Sequence, residues 1–315
     1  MDTIRQAMLA LLSTQRHNWE HGVCMQAFFE AGKDDVVTAL ALAAVQRTLP
    51  DGRIAALGNP DAVTDPCACG EALQHAAALT GDPMLLAGLD GLKSWVLSRA
   101  PRNQDGILYH VASRPEFWVD SIYMLPPFLA SIGAYNEAMR NFAGYYQALY
   151  DPDTHLMSHI YNDETKERTH DVHWATGNGW TLCGIVRLAG LLPDTYGVEQ
   201  RYLRSVFMDL LEHVLACMEP DGTFHDILDD PETFKEYCGS MMTAYSMFRA
   251  SSLGWIEKDT LSPARRILQT VRQIAEKHNG FIFPVCGAPD FTTPGYSPEA
   301  QAFYLMLLLE AEKTE

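Results

Sequence analysis

The stretch Phe117-Trp118-Val119-Asp120-Ser121-Ile122-Tyr123-Met124-Leu125-Pro126-Pro127-Phe128 is mostly apolar and aromatic, yet one carboxylate sits within it. An ionised carboxylate in such surroundings is costly unless it is protonated or held by hydrogen bonds. Asp120 between Trp118 and Tyr123 therefore has a route to a raised pKa, which suits a general acid. The competing reading makes Asp120 a helix cap, a role in which Asp is favoured.

Working outward, apolar residues recur at three and four spacing through most of the 315 residues, and strict alternation is scarce. The pattern predicts helices at 3–13, 19–31, 34–48, 68–80, 83–99, 116–132, 135–150, 176–190, 197–218, 235–252, 261–278 and 298–313. Breaks such as Thr80-Gly81-Asp82-Pro83 and Glu219-Pro220-Asp221-Gly222 carry turn chemistry. The even-numbered helices begin in polar and aromatic clusters, which include Trp19-Glu20-His21-Gly22, Asp65 to Gly70, Gly177-Asn178-Gly179-Trp180 and Glu236 to Ser240. The odd-numbered ones do not. An inner ring of even helices inside an outer ring of odd ones, an (α/α)6 barrel, would bring all six clusters to one mouth. Helix N-termini there would favour an anion. No linker or composition shift divides the chain, so one catalytic domain over 1–315 is expected.

Composition narrows the function. A net charge of −17 argues against nucleic acid and anionic membranes as partners. No export signal or long apolar run is visible, and seven scattered cysteines read as free thiols, so a cytoplasmic protein is expected. A monomer or homodimer is expected.

Several constellations could carry chemistry. His17-Asn18-Trp19-Glu20-His21 fits an H-x-x-E-H zinc spacing, but no third ligand is apparent. Pocket lining by Trp19 and His21 is the better reading. Cys67, Cys69, His170 and His173 lack a four-ligand spacing, so no metal and no cofactor are expected. His173 lies close enough to the Gly177 helix start to line a pocket. Asp65 either caps a helix or faces Asp120. Two close carboxylates cannot both ionise cheaply, so one keeps its proton. On that account Asp65→Asn should move the alkaline limb of the pH–rate profile to lower pH. Trp180 offers either a flat face to a sugar ring or a core side chain. Gly177-Asn178-Gly179 lacks the residues of a nucleotide loop.

These residues resemble the unsaturated glycuronyl hydrolases, glycoside hydrolase families 88 and 105. The resemblance rests on Trp118 to Met124 with Pro127 to Ala130, on Gly177 to Trp180 and on Thr80-Gly81-Asp82. It is supported by Glu236 with Gly239-Ser240-Met241, by Ser297 to Phe303, and by Trp19 to Val23. It implies the (α/α)6 barrel and an enzyme that releases a 4,5-unsaturated uronic acid from the non-reducing end of short oligosaccharides. It also implies Asp120 as the acid/base and Asp65 as the second acidic residue. The substrate-binding set becomes Trp19, His21, Trp118, Tyr123, His159, His173, Thr176, Asn178, Trp180 and Glu236. One departure stands out: better-known members carry Arg just before Gly-Asn-Gly-Trp, where this chain has Thr176. A Thr hydroxyl is no substitute for a bidentate fork. A glycosidase or epimerase acting on a saturated sugar, and a non-catalytic carbohydrate-binding protein, remain as alternatives.

Overall fold

The computed structural model describes residues 2–15, 17–55 and 57–314. The helices are α1 (Thr3–Leu12), α2 (Asn18–Glu30), α3 (Asp34–Val45), α4 (Gly70–Thr80), α5 (Pro83–Ser94), α6 (Ser121–Met124) and α7 (Pro126–Ser131). They continue with α8 (Tyr135–Leu149), α9 (Ala175–Leu191), α10 (Gly197–Ala216), α11 (Tyr237–Ser252), α12 (Ser262–Lys277) and α13 (Pro298–Thr314). A 3-10 turn, Asp65–Cys69, leads into α4, and a π turn, Trp95–Arg99, extends α5.

Counting α6 and α7 as one broken helix, the described helices alternate between two rings, as the pattern of clustered starts predicts. α9, α11 and α13 are buried almost all round. The outer α12 buries only Ala264, Ile267, Leu268, Val271 and Ala275, one face at three and four spacing. Neighbouring inner helices touch in order, α2 with the Asp65 turn and α4, these with α6 and α7, then α9, α11 and α13, and α13 closes onto α2. The fold is an (α/α)6 barrel.

Close approach within the inner ring has a price in side chains. A Cβ on Gly239 of α11 would stand 2.5 Å from the Ala175 carbonyl carbon at the start of α9, so only glycine fits that crossing. Between rings, Gly81 takes φ +65° to end α4, and Asp82 starts α5 by accepting from Met84 N at 2.7 Å.

Two expectations change. The single helix expected at 116–132 is a strand, β1 (Glu116–Trp118), followed by α6 and α7. Pro126 and Pro127 lack the N–H groups that a continuous helix needs, which breaks it after Met124. β1 pairs antiparallel with β2 (Ile160–Asn162), Phe117 opposite Tyr161, and β2 pairs with β3 (Glu167–His170). The helix expected from 235 begins at Tyr237, because β5 (Lys235–Glu236) pairs with β4 (Phe224–His225). No described helix is long and apolar enough to cross a membrane.

Near the carboxyl ends of α2 and α9 the inner ring is tied by charge. Arg187 donates to Glu30 Oε1 at 2.7 Å and to Glu71 Oε2, joining α9 to α2 and α4. Tyr245 of α11 donates to the same Glu30 oxygen at 2.9 Å. Arg187 is 6% exposed. Arg187→Met would leave two mostly buried carboxylates without their cation, and the loss should be about 3–5 kcal/mol. Urea unfolding with an unchanged slope measures it. A loss below about 1 kcal/mol, the scale of a surface pair, would contradict the clamp. Arg187→Lys should recover only part, because an ammonium cannot fork to both carboxylates.

Candidate active site

The starts of five inner helices converge on one aromatic cavity of about 150 Å³. Trp19 comes from α2, Asp65 from the turn before α4, Trp118 and Asp120 from the β1–α6 junction, Trp174 from just ahead of α9, Trp180 from α9, and Glu299 from α13. Connecting segments complete the wall with Asn59, His110, His159 and Phe291, and Met124 of α6 joins them. Among the described residues no Lys or Arg lines it.

Asp120 sits just ahead of α6 without making a side-chain cap bond. Its Oδ2 is buried with no hydrogen-bond partner, and the nearest base, His159 Nε2, is 3.8 Å away. Burial raises its pKa to about 6. The capping role considered for Asp120 is therefore not the one it plays. β1 pairing with β2 brings His159 beside it: Val119 N donates to His159 O at 3.0 Å. His159 Nδ1 lies 2.9 Å from His170 Nδ1, so one ring donates and the other accepts. Burial, then the neighbouring His170, lowers His159 to about 3, and it is neutral at working pH.

Asp65 is 4% exposed and raised well above the carboxylate range, first by burial and then by the charge of Asp120. Asn59 Nδ2 donates to its Oδ2 at 3.3 Å, and His110 Nε2 stands 3.6 Å from Oδ1. His110 Nδ1 meets Thr64 Oγ1 at 2.9 Å and Ser121 Oγ at 3.0 Å, and the ring stacks on Trp118 at 4.5 Å. Burial lowers His110 to about 3. The two aspartates thus interact, and each is raised above the ordinary carboxylate range. Burial rather than Asp65 raises Asp120, and Asp65 is the one that feels its neighbour's charge.

The aromatic walls stand on polar partners. Trp19 stacks on His17 at 4.6 Å, and Trp118 Nε1 donates to Glu116 at 2.8 Å. Trp174 lies 5.0 Å from His159, and Trp180 packs 4.7 Å from Tyr123. Trp180 is only 2% exposed, so it is both a core side chain and part of the cavity wall.

Six of the expected binding residues stand behind that wall. Glu236 caps α11, accepting from Cys238 N at 2.7 Å, Gly239 N at 2.6 Å and Cys286 N at 3.2 Å. Thr176 donates to the same carboxylate at 3.2 Å. Asn178 bridges to the backbone of Met157 and Trp174. His21 Nε2 meets the Leu40 carbonyl at 2.8 Å, His173 Nδ1 meets Asp229 at 2.7 Å, and Tyr123 lies under Trp180. The shared cause is helical geometry: a cluster at a helix start faces all ways, and only part of it meets the axis of the barrel. Sequence reasoning missed Asn59, His110, Met124, Trp174, Phe291 and Glu299. Of these only Glu299 and Met124 lie in stretches that carried the resemblance.

The H-x-x-E-H spacing is a capping device. Glu20 Oε2 accepts from His17 N at 2.6 Å, while His21 turns to α3. Among the described residues one trio has metal-ligand spacing, His155, Asp209 and His213, and none of the three lines the cavity.

A closed helical barrel with paired acids in an aromatic cavity is an architecture of sugar-cleaving enzymes, and comparison with known proteins agrees. The pattern of Glycosyl Hydrolase Family 88 matches residues 2–306, and the chain belongs to that family of glycoside hydrolases. It is 24% identical over 252 residues to the unsaturated rhamnogalacturonyl hydrolase YesR of Bacillus subtilis (strain 168), covering 75% of this chain and 71% of that protein. An unsaturated 3S-rhamnoglycuronyl hydrolase of Formosa agariphila is 24% identical over 165 residues, 47% of this chain and 44% of that one. The crystal structure of a possible GH105 family member from Salmonella enterica serovar Paratyphi A superposes with a TM-score of 0.86 at 18% identity, over 99% of this chain and 93% of that one.

The raised pKa of Asp120 has a stability consequence. The folded value is about 6 against about 4 unfolded. Below about pH 4 both states hold the proton, so the site costs nothing. The cost grows as pH rises and is complete above about 6. Asp120→Asn should therefore stabilise the protein by about 1–3 kcal/mol near neutral pH and not at about pH 4. Denaturant unfolding at both pH values checks it; a gain that does not depend on pH contradicts the assigned cause.

Proposed function

We propose that the enzyme removes a 4,5-unsaturated uronic acid from the non-reducing end of short oligosaccharides. The observation that carries this is Asp120: an unpartnered carboxyl oxygen, a pKa raised to about 6, and a cavity walled by tryptophans that suit sugar faces. The two relatives, an unsaturated rhamnogalacturonyl hydrolase and an unsaturated 3S-rhamnoglycuronyl hydrolase, support the same substrate class.

In this reading protonated Asp120 gives its proton to C4 of the vinyl ether while water adds at C5. The carboxylate then takes the proton released by that water. The C5 hemiketal opens to a ketone, and the hemiacetal left at C1 collapses to release the remaining sugar. Trp118 and Trp174 hold the ring, and neutral His159 is placed to orient the Asp120 carboxyl. Asp65 keeps its own proton while Asp120 turns over. The whole chain acts as one catalytic domain, as a monomer or homodimer. A cytoplasmic site of action fits its seven unbridged cysteines.

A second reading has one specific observation in its favour. No Lys or Arg among the described residues lines the cavity to receive a uronate, and Thr176 is buried behind the wall. Asp65 and Asp120 would then serve ordinary hydrolysis of a saturated glycoside. A screen of unsaturated and saturated disaccharides, following the ultraviolet absorbance of the C4=C5 bond, separates the two. Loss of that absorbance with sugar release is expected; cleavage of saturated substrates alone would overturn the proposal.

On a cleaved substrate Asp120→Asn should lower kcat by at least about 10²-fold, the scale of general acid catalysis. Wild-type kcat should fall as pH rises through about 6, where Asp120 loses its proton. An Asn at 65 imitates the protonated Asp65 that accompanies this step. Asp65→Asn should therefore leave that limb in place, unlike the shift expected from sequence. A limb displaced by about one pH unit or more would show that Asp65 is ionised beside Asp120.

A further inference from the structure

The cavity has an acid that the proposed mechanism does not use. Glu299, in the first turn of α13, lines the wall, is 2% exposed, and leaves Oε2 without a hydrogen-bond partner. An orphaned carboxyl oxygen in a cavity wall calls for a ligand. Its surroundings also say what protonation state it has. Glu20 and the Trp19 indole face it from α2, Asp120 from ahead of α6, and Cys238 from α11. Burial and then the charge of Glu20 raise it far above the usual carboxylate range. Glu20 itself accepts from His17 N at 2.6 Å.

The remaining groups in the cavity leave a gap that Glu299 fills. His110 and His159, the only wall residues able to become cations, are both lowered to about 3 and stay neutral. Asp65 is turned to other partners: its Oδ2 accepts from Asn59 and its Oδ1 faces His110 Nε2 at 3.6 Å. Asp120 is committed to C4. Among the described wall residues an entering uronate therefore meets no positive charge, and the neutral carboxylic acid of Glu299 is a donor left to it. Hydrogen bonds to an ionised acceptor are about twice as strong as neutral ones.

We propose that Glu299 is the specificity residue of this site, donating its Oε2 proton to the carboxylate of the uronyl ring in place of a cation. The assignment rests on the uronyl reading of the cavity. It makes recognition depend on a proton held by the enzyme. Once Glu299 ionises, two carboxylates oppose each other and the same contact turns repulsive.

The test uses full-length Asp120→Asn protein, which removes both turnover and the Asp120 titration. Its ligands are a 4,5-unsaturated uronyl disaccharide that the wild type cleaves and the matching uronamide, which lacks the charge. Calorimetric Kd for the acid should rise at least about tenfold between about pH 6.5 and pH 9. The uronamide should show no such rise, and Asp120→Asn combined with Glu299→Gln should abolish it for the acid. A rise that persists in the double variant, or that is equal for the uronamide, overturns the assignment. The uronamide arm needs no change at Glu299, so it stands even where the double variant folds poorly. If the wild type cleaves no unsaturated disaccharide and the variant binds none, the uronyl reading fails and Glu299 falls with it. Binding with a flat pH profile overturns Glu299 alone.

Discussion

The contact on which the barrel depends is the fork of Arg187 between Glu30 and Glu71. A ring of six inner helices has no sheet to fix the angular order of its members, and apolar packing alone tolerates rotation of one helix against another. A planar guanidinium with two carboxylate partners tolerates much less. The fork sets α9 against α2 and α4, and Tyr245 brings in α11 through Glu30. In a buried setting such a pair gives little net stability over apolar residues, so its value here lies in register.

That register reaches the cavity in two steps. The Arg187 guanidinium lies 5.4 Å from the Tyr123 ring centroid, and Tyr123 packs on Trp180, which is part of the cavity wall. Tyr123 thus belongs to the support of the site although it does not line it. A rigid support matters because the site is electrostatically unfavourable. Asp65, Asp120 and Glu299 crowd one small apolar space, and burial raises all three. A looser barrel would let water in and return them to ordinary acids.

How much of this was legible in the sequence follows from what each signal measures. Three and four spacing reports one-sided or complete burial, so the two rings and their alternation could be read from it. Helix starts rich in Trp and Asp pointed to the right end of the barrel, and Trp19, Asp65, Trp118, Asp120, His159 and Trp180 do line one cavity. The same clusters could not tell a side chain facing the axis from its neighbour facing the next helix. Glu236, Thr176 and Asn178 are spent on capping and on holding backbone. The strands were illegible because two to four residues are too few to display alternation, and with β1 went the placement of His159. Asn59, His110 and Phe291 lie in connecting segments, whose positions depend on the assembled barrel and carry no periodic signal.

The cavity is built from two kinds of chain. Its acids and most of its tryptophans sit on or beside inner helices, where a shift of one residue disturbs the whole ring. Asn59, His110, His159 and Phe291 come from segments that bridge one helix or strand to the next. Evolution can lengthen, shorten or exchange such segments while the ring stays intact. An ancestral barrel could therefore keep its proton chemistry and change the sugar it admits by altering the rim alone.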